Sequence, residues 1–550
     1  MIIIGKKLVT FVLFLLFVFS IFFVIFQTDV TSGKTNYNNK QILNTDFDLV
    51  RVGNYKTDLF DESAAEIVKF DPITNKLFIV NAQKPGIDVV KISNNGRMSG
   101  FAQPVKMEYE STIDLSSLGG TVNSVSIHNG VVAVAVQAQA VDENGVVGFY
   151  DTKTLELMNS VEVGVLPDML TFTPDGKKVI TANEGQPNDD YSIDPEGSVS
   201  IIDLTNGIDN ANHKLVRFGQ GSGEDLKKRG VRIYGPSANV AQDFEPEYIT
   251  VTSDSKKAYV ALQENNAFAV YDLEKQTLVE IIPLGTKNHM LPGYGFDASD
   301  KDGGINIRNW PTLGYFMPDS IDNYTVDGKT YIVTANEGDT RDYDGYSEEA
   351  RVSDIMLDST VFPNAEELQK DENLGRLLTT TANGDTDGDG DHDIIYSIGG
   401  RSMSIFDEKG SLIWDSGDQI ARMQATLIPE MFNANGEEDS KDSRSDAKGA
   451  EPEALKIAKF GNNQWIAFLG LERVGGIMAY NITNPKSPEF LGYTSGRYWD
   501  GIAEDGTAGD LAPEGIEYIS PSDSPTGRPL LVVANEVSGN TTVWEINFTP

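Results

Sequence analysis

The sequence predicts an all-β protein, a single β-propeller of seven or eight blades preceded by one N-terminal transmembrane helix. A unit of three or four short strands recurs along the chain, and turn-forming residues are abundant, with 52 Gly and 23 Pro among 550 residues. Four-stranded units that repeat at about this length are typical of propeller blades. The predicted domains are an anchor over residues 1–27, a polar linker over 28–46 and the propeller over 47–550.

The repeated unit opens with an acid, commonly after Pro, as in Pro167-Asp168 and Pro246-Glu247. Its second strand often ends in Asn-Glu, as at Asn183-Glu184. Eight units are counted, and they begin near residues 66, 123, 168, 247, 319, 393, 453 and 514. The unit near residue 393 is the least regular, which leaves seven blades as the alternative. The last unit is one strand short, and we expect residues 47–52 to complete it and close the ring.

The N-terminus carries a membrane signal. Lys6 and Lys7 precede residues 8–26, which are apolar except for Thr10 and Ser20. This run is close to the roughly 20 residues that span a bilayer, and the preceding lysines predict a cytoplasmic N-terminus. We expect an extracytoplasmic protein anchored in the cell membrane through residues 8–26. The alternative is a cleaved signal and a secreted protein.

Composition excludes several functions. The chain has 44 Lys and Arg against 82 Asp and Glu, a net charge of −38, and it has no Cys. Thiol catalysis, Cys-ligated metals and disulfide scaffolds are therefore ruled out. A nucleic-acid partner is not expected, because such surfaces need clustered positive charge. The acidic excess favours cations as partners.

Acids recur in register. Because the first strand of a propeller blade lines the central channel, one acid per unit predicts a ring of carboxylates there. The first set, at the start of the unit, is Asp168, Glu247, Asp319, Glu453 and Glu514, and the second set, after the second strand, is Glu184, Glu264, Glu337, Glu472 and Glu536. Calcium suits such rings because it takes six to eight oxygen ligands in loose geometry. The alternative is structural, with the acids capping strands between blades.

Residues 385–393 form an aspartate ladder. Acids occupy every second position, at Asp385, Asp387, Asp389, Asp391 and Asp393. The first three match positions one, three and five of a calcium loop, and Gly390 matches its glycine. Position twelve is Tyr396 instead of Glu, so the loop is not an EF-hand. We expect a calcium loop that a distant carboxylate completes, the alternative being a solvated acidic turn.

Two loops mix acids with Arg and Lys. Glu337 and Arg341 belong to the first, and Arg444 and Lys448 to the second. Cations beside metal-binding acids are what a phosphoryl-transfer site needs. The candidate catalytic residues are therefore Asp319, Glu337, Arg341, Arg444 and Lys448. The alternative is a salt-bridge network that orders two long loops.

Several long strings resemble one known family, the choice-of-anchor I proteins. They lie at residues 166–176, 194–199, 245–249, 262–267, 334–339, 399–402 and 533–539. The resemblance covers about residues 47–550 and implies a β-propeller outside the cytoplasm. Residues 384–390 match the family's calcium-like loop. The family is similar to mesenchyme-specific cell-surface glycoproteins linked to animal biomineralisation, and its bacterial members are often labelled alkaline phosphatase.

Two functions remain open at this point. One is a calcium-loaded surface propeller that acts in adhesion, binds surface polymers or handles mineral ions. The other is a calcium-dependent phosphomonoesterase that acts on phosphate esters through carboxylates and Arg or Lys on one propeller face.

Overall fold

Seven four-stranded antiparallel sheets form the body of the protein. In the computed structural model, the described residues are 40–41, 47–96, 104–219, 223–236, 238–437, 439–461 and 463–548. The predicted anchor at residues 8–26 lies outside them. None of the helices in the described ranges is long and apolar enough to cross a membrane. Asn39–Pro550 forms one compact body.

Each of the first four sheets consists of four strands that are consecutive in the chain, and each sheet is called a blade. Blade 1 consists of Val68–Asp71, Lys76–Asn81, Gly86–Asn94 and Val105–Asp114. Blade 2 consists of Val122–His128, Val131–Val136, Asn144–Asp151 and Leu157–Val165. Blade 3 consists of Pro167–Phe172, Lys178–Asn183, Ser198–Asp203 and Asn212–Arg217. Blade 4 consists of Pro246–Val251, Lys257–Leu262, Ala267–Asp272 and Thr277–Pro283.

The last three blades carry additions. Blade 5 consists of Ile321–Val326, Lys329–Asn336, Ser402–Asp407 and Leu412–Asp415. Blade 6 consists of Pro452–Phe460, Gln464–Leu471, Ile477–Asn481 and Glu489–Thr494, with Lys40–Gln41 paired at its edge. Blade 7 consists of Pro513–Ile519, Leu530–Asn535, Asn540–Phe548 and Phe47–Lys56. The long gap in blade 5 holds an insertion between its second and third strands.

The blades close into a ring. The first strand of every blade contacts the first strand of the next, and that of blade 7 contacts that of blade 1. Phe47–Lys56 pairs antiparallel with Asn540–Phe548 and is the outermost strand of blade 7. The predicted ring closure by residues 47–52 is therefore confirmed.

The prediction of a separate blade near residue 393 is wrong. Ile395–Ser397, near the expected start of that unit, pairs in parallel with Thr312–Tyr315 outside the ring. The following strand, Ser402–Asp407, is the third strand of blade 5. The strand-like pattern near Asp393 was real, but the strands belong to an insertion and to a neighbouring blade, so the ring has seven blades.

The hydrophobic core is divided among the blade interfaces. Seven buried apolar clusters each join two neighbouring blades, including the one between blades 7 and 1. Central strands such as Val131–Val136 are apolar throughout because both of their faces are covered. The blades therefore hold the ring closed mainly through the burial of apolar surface.

Insertions cover one end of the ring, and they carry the helices of the described residues except Ile208–Asn210, which lies between the third and fourth strands of blade 3. Their strands are Thr286–Asn288, Thr312–Tyr315, Asp342–Tyr343, Tyr346–Ser347, Glu349–Arg351, Leu378–Thr380 and Ile395–Ser397. The helices of the described residues are Ile208–Asn210, Gly223–Arg229, Val240–Asp243, Val352–Asp354, Ala365–Leu368, Gln419–Leu427 and Pro429–Met431. A buried cluster around Trp310, Val352 and Leu374 gives the insertions a core of their own.

Candidate functional site

The start of each first strand contributes one residue to a ring around the channel. We call this the acid ring, and its members are Glu66, Asn123, Asp168, Glu247, Asp319, Glu453 and Glu514. Six of the seven positions are carboxylates. At the seventh, the Asn123 amide donates to Gln137 Oε1 at 3.1 Å and to the Pro167 carbonyl at 3.2 Å. The predicted register of acids is therefore present in the fold.

The backbone is unusual just before the acid ring. Leu166, Met317, Glu451 and Ala512 each precede the opening Pro of a blade, and each has a left-handed φ of 47–54°. This conformation is uncommon for residues other than Gly and is retained only where the surrounding structure enforces it. A register shift follows within the first strand of blades 3, 4, 6 and 7. Both features lie beside the acids, so the sharp entry to each blade sets where they point.

The acid ring walls a cavity of about 210 Å³. Its lining includes five acid-ring carboxylates together with Glu184, which follows the second strand of blade 3; the five are Glu66, Asp168, Glu247, Asp319 and Glu514. The described residues that line it include neither Lys nor Arg. The cavity therefore concentrates negative charge with no basic side chain in its wall.

Burial and mutual repulsion raise the pKa values of these acids. Burial is the main cause and raises the pKa of Asp168 to about 7. Burial, together with the charges of neighbouring acids, raises the pKa values of Glu247 and Glu514 well above the usual range. A carboxyl group in this setting takes up a proton or gains a cation.

A second group of charges lies beside the ring, at the end of the channel that the insertions cover. Carboxylate oxygens of Asp319, Glu337 and Glu453 lie within 4.8 Å of one another, and so do those of Glu337, Glu451 and Glu472. Lys448 Nζ is 2.6 Å from Glu337 Oε1 and 3.5 Å from Glu451 Oε2. The structure therefore brings together four predicted catalytic residues: Asp319, Glu337, Arg444 and Lys448.

Glu451 is the fully buried centre of this group, which we call the charged cluster. Its carboxylate accepts from Arg444 Nε at 2.7 Å and from Arg473 Nε at 3.3 Å, and it is 0% exposed. Burial alone would raise its pKa, but Lys448, Arg444 and Arg473 outweigh burial and lower it. Glu451 thus stays ionised and holds the three cations in place.

Arg341 lies elsewhere. It is 1% exposed, and its guanidinium donates to Glu245 Oε1 at 2.7 Å and to the Asp243 carbonyl at 2.7 Å. These contacts tie the insertion of blade 5 to the chain just before blade 4. Among the described residues, no ion pair joins Arg341 to Asp319 or Glu337.

The aspartate ladder lies in the exposed insertion of blade 5. Carboxylate oxygens of Asp385, Asp387 and Asp393 lie within 4.8 Å of one another, and Asp391 and Asp393 form a second such group with Asp358. Asp358 is positioned by a β-bridge between Leu357 and His392. Asp389 belongs to neither group and accepts from the Asp391 amide at 3.1 Å. Asp358 is thus a carboxylate from outside residues 385–393 that lies beside the ladder.

Sequence reasoning missed several residues of the site. The sequence pattern indicates Glu66 only as the start of a unit, and it does not indicate Arg473 or Asp358 as site residues. The position of Glu451 offers a signal, because it directly precedes a Pro-acid pair in the sequence Glu451-Pro452-Glu453. The pairing of Asp358 with the ladder depends on the fold of the insertion, and no local pattern shows it.

The fold and the site together define a β-propeller with a carboxylate-lined channel. The model of the choice-of-anchor I domain matches residues 66–485. The chain therefore belongs to the choice-of-anchor I family.

Two curated relatives are similar to parts of the chain. Gigasin-3a of Magallana gigas is 33% identical over 191 residues, which are 32% of this chain and 66% of that protein. The mesenchyme-specific cell surface glycoprotein of Strongylocentrotus purpuratus is 29% identical over 277 residues, 44% of this chain and 35% of that protein. The matched regions thus span just under two thirds of the first relative and about a third of the second.

Among solved structures, the hydrazine synthase of Kuenenia stuttgartiensis aligns with 90% of this chain and 98% of its own. The TM-score is 0.44 and the sequence identity is 12%. A likeness at this level does not bear on function.

Proposed function

We propose that this protein is an extracytoplasmic surface propeller that binds calcium at the acid ring. The observation that carries the proposal is the cavity of about 210 Å³ walled by carboxylates without a basic residue among its described lining. Membership of the choice-of-anchor I family and the likeness to a cell surface glycoprotein support the surface location. Calcium ions, and through them surface polymers, are the proposed partners.

The charge balance of the ring supports a divalent cation. Ionised carboxylates that face one another without counter-charges are strongly destabilising in a buried channel. A calcium ion supplies two positive charges and accepts six to eight oxygen ligands without strict geometry. Carboxylates from separate blades around one cavity offer such oxygens, whereas the chain has no Cys and no clustered His for softer metals.

A neighbouring carboxylate gives independent support. Glu264 follows the second strand of blade 4 and is 5% exposed. Its Oε2 atom is buried and accepts no hydrogen bond from any described residue. The charge of Glu264 also raises the pKa of Glu247 in the ring, second to burial. A buried carboxylate oxygen without a hydrogen-bond donor is available as a cation ligand.

The aspartate ladder is proposed as a second, exposed calcium site. Asp385, Asp387 and Asp393 contribute one group of oxygens, and Asp358 and Asp391 extend it. Gly388 and Gly390 have φ values of 83° and 99°, so the loop needs glycine at both positions. Because these acids are solvated, we expect weaker binding here than at the acid ring.

Calcium titration of the chelator-treated protein by calorimetry tests the proposal. The double variant Glu247→Gln with Glu514→Gln keeps the side-chain shapes but removes two ring charges. We expect it to weaken the tighter class of sites by about tenfold or more, equivalent to about 1.4 kcal/mol. Asp387→Asn should affect only the weaker class.

The matched control is Glu143→Gln, because Glu143 is an exposed acid that does not line the cavity. It should leave both classes unchanged. Calcium binding of equal affinity and stoichiometry in the wild type and the double variant would contradict the proposal.

Phosphomonoester hydrolysis is a second candidate, and the charged cluster favours it. Arg444 and Lys448 line a cavity of about 420 Å³ next to Glu337 and Asp319. A calcium ion held by Asp319, Glu337 and Glu453 would polarise a phosphoryl oxygen, and the two cations would hold the others.

A phosphatase assay with calcium separates the two candidates. If the protein is an enzyme, Glu337→Gln and Lys448→Met should each lower turnover of a generic phosphomonoester by about 100-fold or more. The exposed control Glu143→Gln should keep full turnover. No turnover with calcium or any other divalent cation would leave binding as the function.

A further inference from the structure

The opposite end of the channel has a different chemistry. Three residues after each member of the acid ring, the first strands present Lys69, Ser126, Thr171, Thr250, Asp322, Lys456 and Glu517. Three residues of extended strand span roughly 10 Å. Five of these residues line a separate cavity of about 200 Å³, namely Lys69, Ser126, Thr171, Lys456 and Glu517. We call this region the lysine end.

Both lysines depend on a single carboxylate oxygen. Lys69 Nζ is 3.6 Å from Glu517 Oε2, and Lys456 Nζ is 3.4 Å from the same atom. Within 4.0 Å, neither ammonium pairs with another carboxylate of the described residues. Two ammonium groups with six N–H donors therefore share one acceptor at long distance.

The other charged and titratable groups nearby leave these donors available. Asp322 acts on the pKa of both lysines, but its oxygens accept from the Ile457 amide at 2.9 Å and the Asn323 amide at 2.7 Å. His128 also lines the cavity, and its Nε2 lies 2.8 Å from Asn129 Nδ2. Burial and the charge of Lys456 lower the pKa of Lys69, although Glu517 opposes them.

We propose that the lysine end binds a phosphate-class oxyanion, such as inorganic phosphate or a phosphate monoester. A doubly charged tetrahedral anion would accept from both ammonium groups and from the Ser126 hydroxyl. The Thr171 hydroxyl donates to the Phe172 carbonyl at 3.3 Å and would have to turn from that long contact to join them. The cavity of about 200 Å³ exceeds the size of one phosphate group. This site is separate from the acid ring and does not depend on calcium.

Glu517 is the internal competitor of that anion. Its Oε2 atom accepts no well-aligned hydrogen bond, although both lysine ammonium groups lie within 3.6 Å of it. A bound phosphate would take over the contacts that Glu517 makes at long distance. Replacing Glu517 by a neutral residue should therefore strengthen phosphate binding, which is not expected if Glu517 only forms a structural salt bridge.

The test is calorimetric titration of the chain with inorganic phosphate in the presence of a chelator. Lys69→Met with Lys456→Met should weaken binding by about tenfold or more, and Glu517→Gln should strengthen it severalfold. The exposed control Lys153→Met should change nothing. A parallel titration with a phosphate monoester shows whether the site takes the free ion or an ester.

The proposal is overturned if the wild type and Glu517→Gln both fail to bind phosphate at millimolar concentration. It is also overturned if Glu517→Gln binds phosphate no more tightly than the wild type. The second criterion holds even if the double lysine variant does not fold. Because a chelator is present throughout, failure here leaves the calcium proposal untouched.

Discussion

The two ends of the channel use the same strands but opposite chemistry. At the acid ring, six of seven blades present a carboxylate, and the described lining of its cavity has no basic residue. Three residues further along, the same strands present two lysines, two acids and three hydroxyls. One repeated backbone therefore places carboxylates at one end of the channel, and two lysines, two acids and three hydroxyls at the other.

The difference depends on a local irregularity of the strands. In a regular strand, residues three apart point to opposite faces. The first strands of blades 2, 3, 4, 6 and 7 each contain a register shift near their start. A bulge moves the following residues to the other face. In these five blades, both the acid-ring residue and the residue three positions later can therefore line the channel.

Opening the ring should remove both ends together and has the largest expected effect. A chain that begins at residue 57 lacks the outer strand of blade 7, whereas one that begins at residue 39 retains it. The shorter chain should lose cooperative unfolding or melt at least about 10 °C lower. Calorimetry of the two truncated forms checks this, and equal melting temperatures would refute ring closure by this strand.

Lys448 is the internal counter-ion of the charged cluster, as Glu517 is that of the lysine end. Removing Lys448 tests whether an added ion can replace it. Lys448→Met leaves Glu337 and Glu451 without their shared ammonium. Without calcium, this should cost about 3 kcal/mol of unfolding free energy, because a buried charge loses its partner. Added calcium should restore much of that stability and bind more tightly, since the competing cation is gone.

Urea unfolding with and without calcium measures this effect. The control is Lys441→Met, because Lys441 pairs with the exposed Glu430 and should change stability by less than about 0.5 kcal/mol. A loss of calcium affinity in Lys448→Met would mean that the lysine helps to hold the ion, contrary to our account.

The acid ring, together with Glu472 of the charged cluster, should make the metal-free protein less stable as the pH rises. Burial raises the pKa of Asp168 to about 7, and burial with the charges of Glu337 and Glu451 raises that of Glu472 to about 8. The folded chain therefore keeps protons that the unfolded chain releases above about pH 4. This stabilisation is complete below about pH 4 and is lost as the pH rises through 7 to 8.

We expect a loss of about 1–3 kcal/mol between pH 5 and pH 8 in the presence of a chelator. Melting temperatures across this range measure it, and Asp168→Asn with Glu472→Gln should flatten the profile. Calcium should also flatten it. A metal-free profile that rises with pH, and does so equally in the double variant, would count against protonated acids in the channel.

The smallest effect is expected at the exposed aspartate ladder. Asp387 is solvent-exposed, and the charge of Asp389, with a smaller contribution from burial, raises its pKa. Asp387→Asn should lower the calcium-dependent rise in melting temperature by no more than a few degrees. The control is Asp142→Asn, because Asp142 is exposed. Asp407 is unsuitable as a control, because its carboxylate accepts from the Lys409 amide in a turn. A loss of all calcium stabilisation in Asp387→Asn would place the main site in the loop.

Most of the ring could be predicted from the sequence, because blade strands and their opening acids are local patterns. The recurrent Pro-acid pair correctly locates blades 3, 4, 5, 6 and 7 and their channel acids. The strands near Asp393 were assigned to a blade of their own because they have the same composition as blade strands. Only tertiary pairing shows that one of them joins Thr312–Tyr315 instead.

The lysine end could not be predicted in the same way. Lys69, Lys456 and Glu517 lie in different blades, and Lys69 and Glu517 are 448 residues apart; the three share no repeated motif. Their convergence depends on the ring and on register shifts that sequence periodicity does not reveal. Likewise, the charged loop around Arg341 predicts a site residue, but the Arg341 side chain is buried and donates to Glu245.

The most direct test of the account is anomalous diffraction from crystals grown with terbium, a calcium mimic. We predict an anomalous peak inside the cavity lined by Asp168, Glu247, Asp319 and Glu514, with a weaker peak at residues 385–393. The channel peak should vanish in the variant Glu247→Gln with Glu514→Gln. Peaks confined to the exposed loop, with none in the channel, would contradict the claim that the acid ring is the cation site.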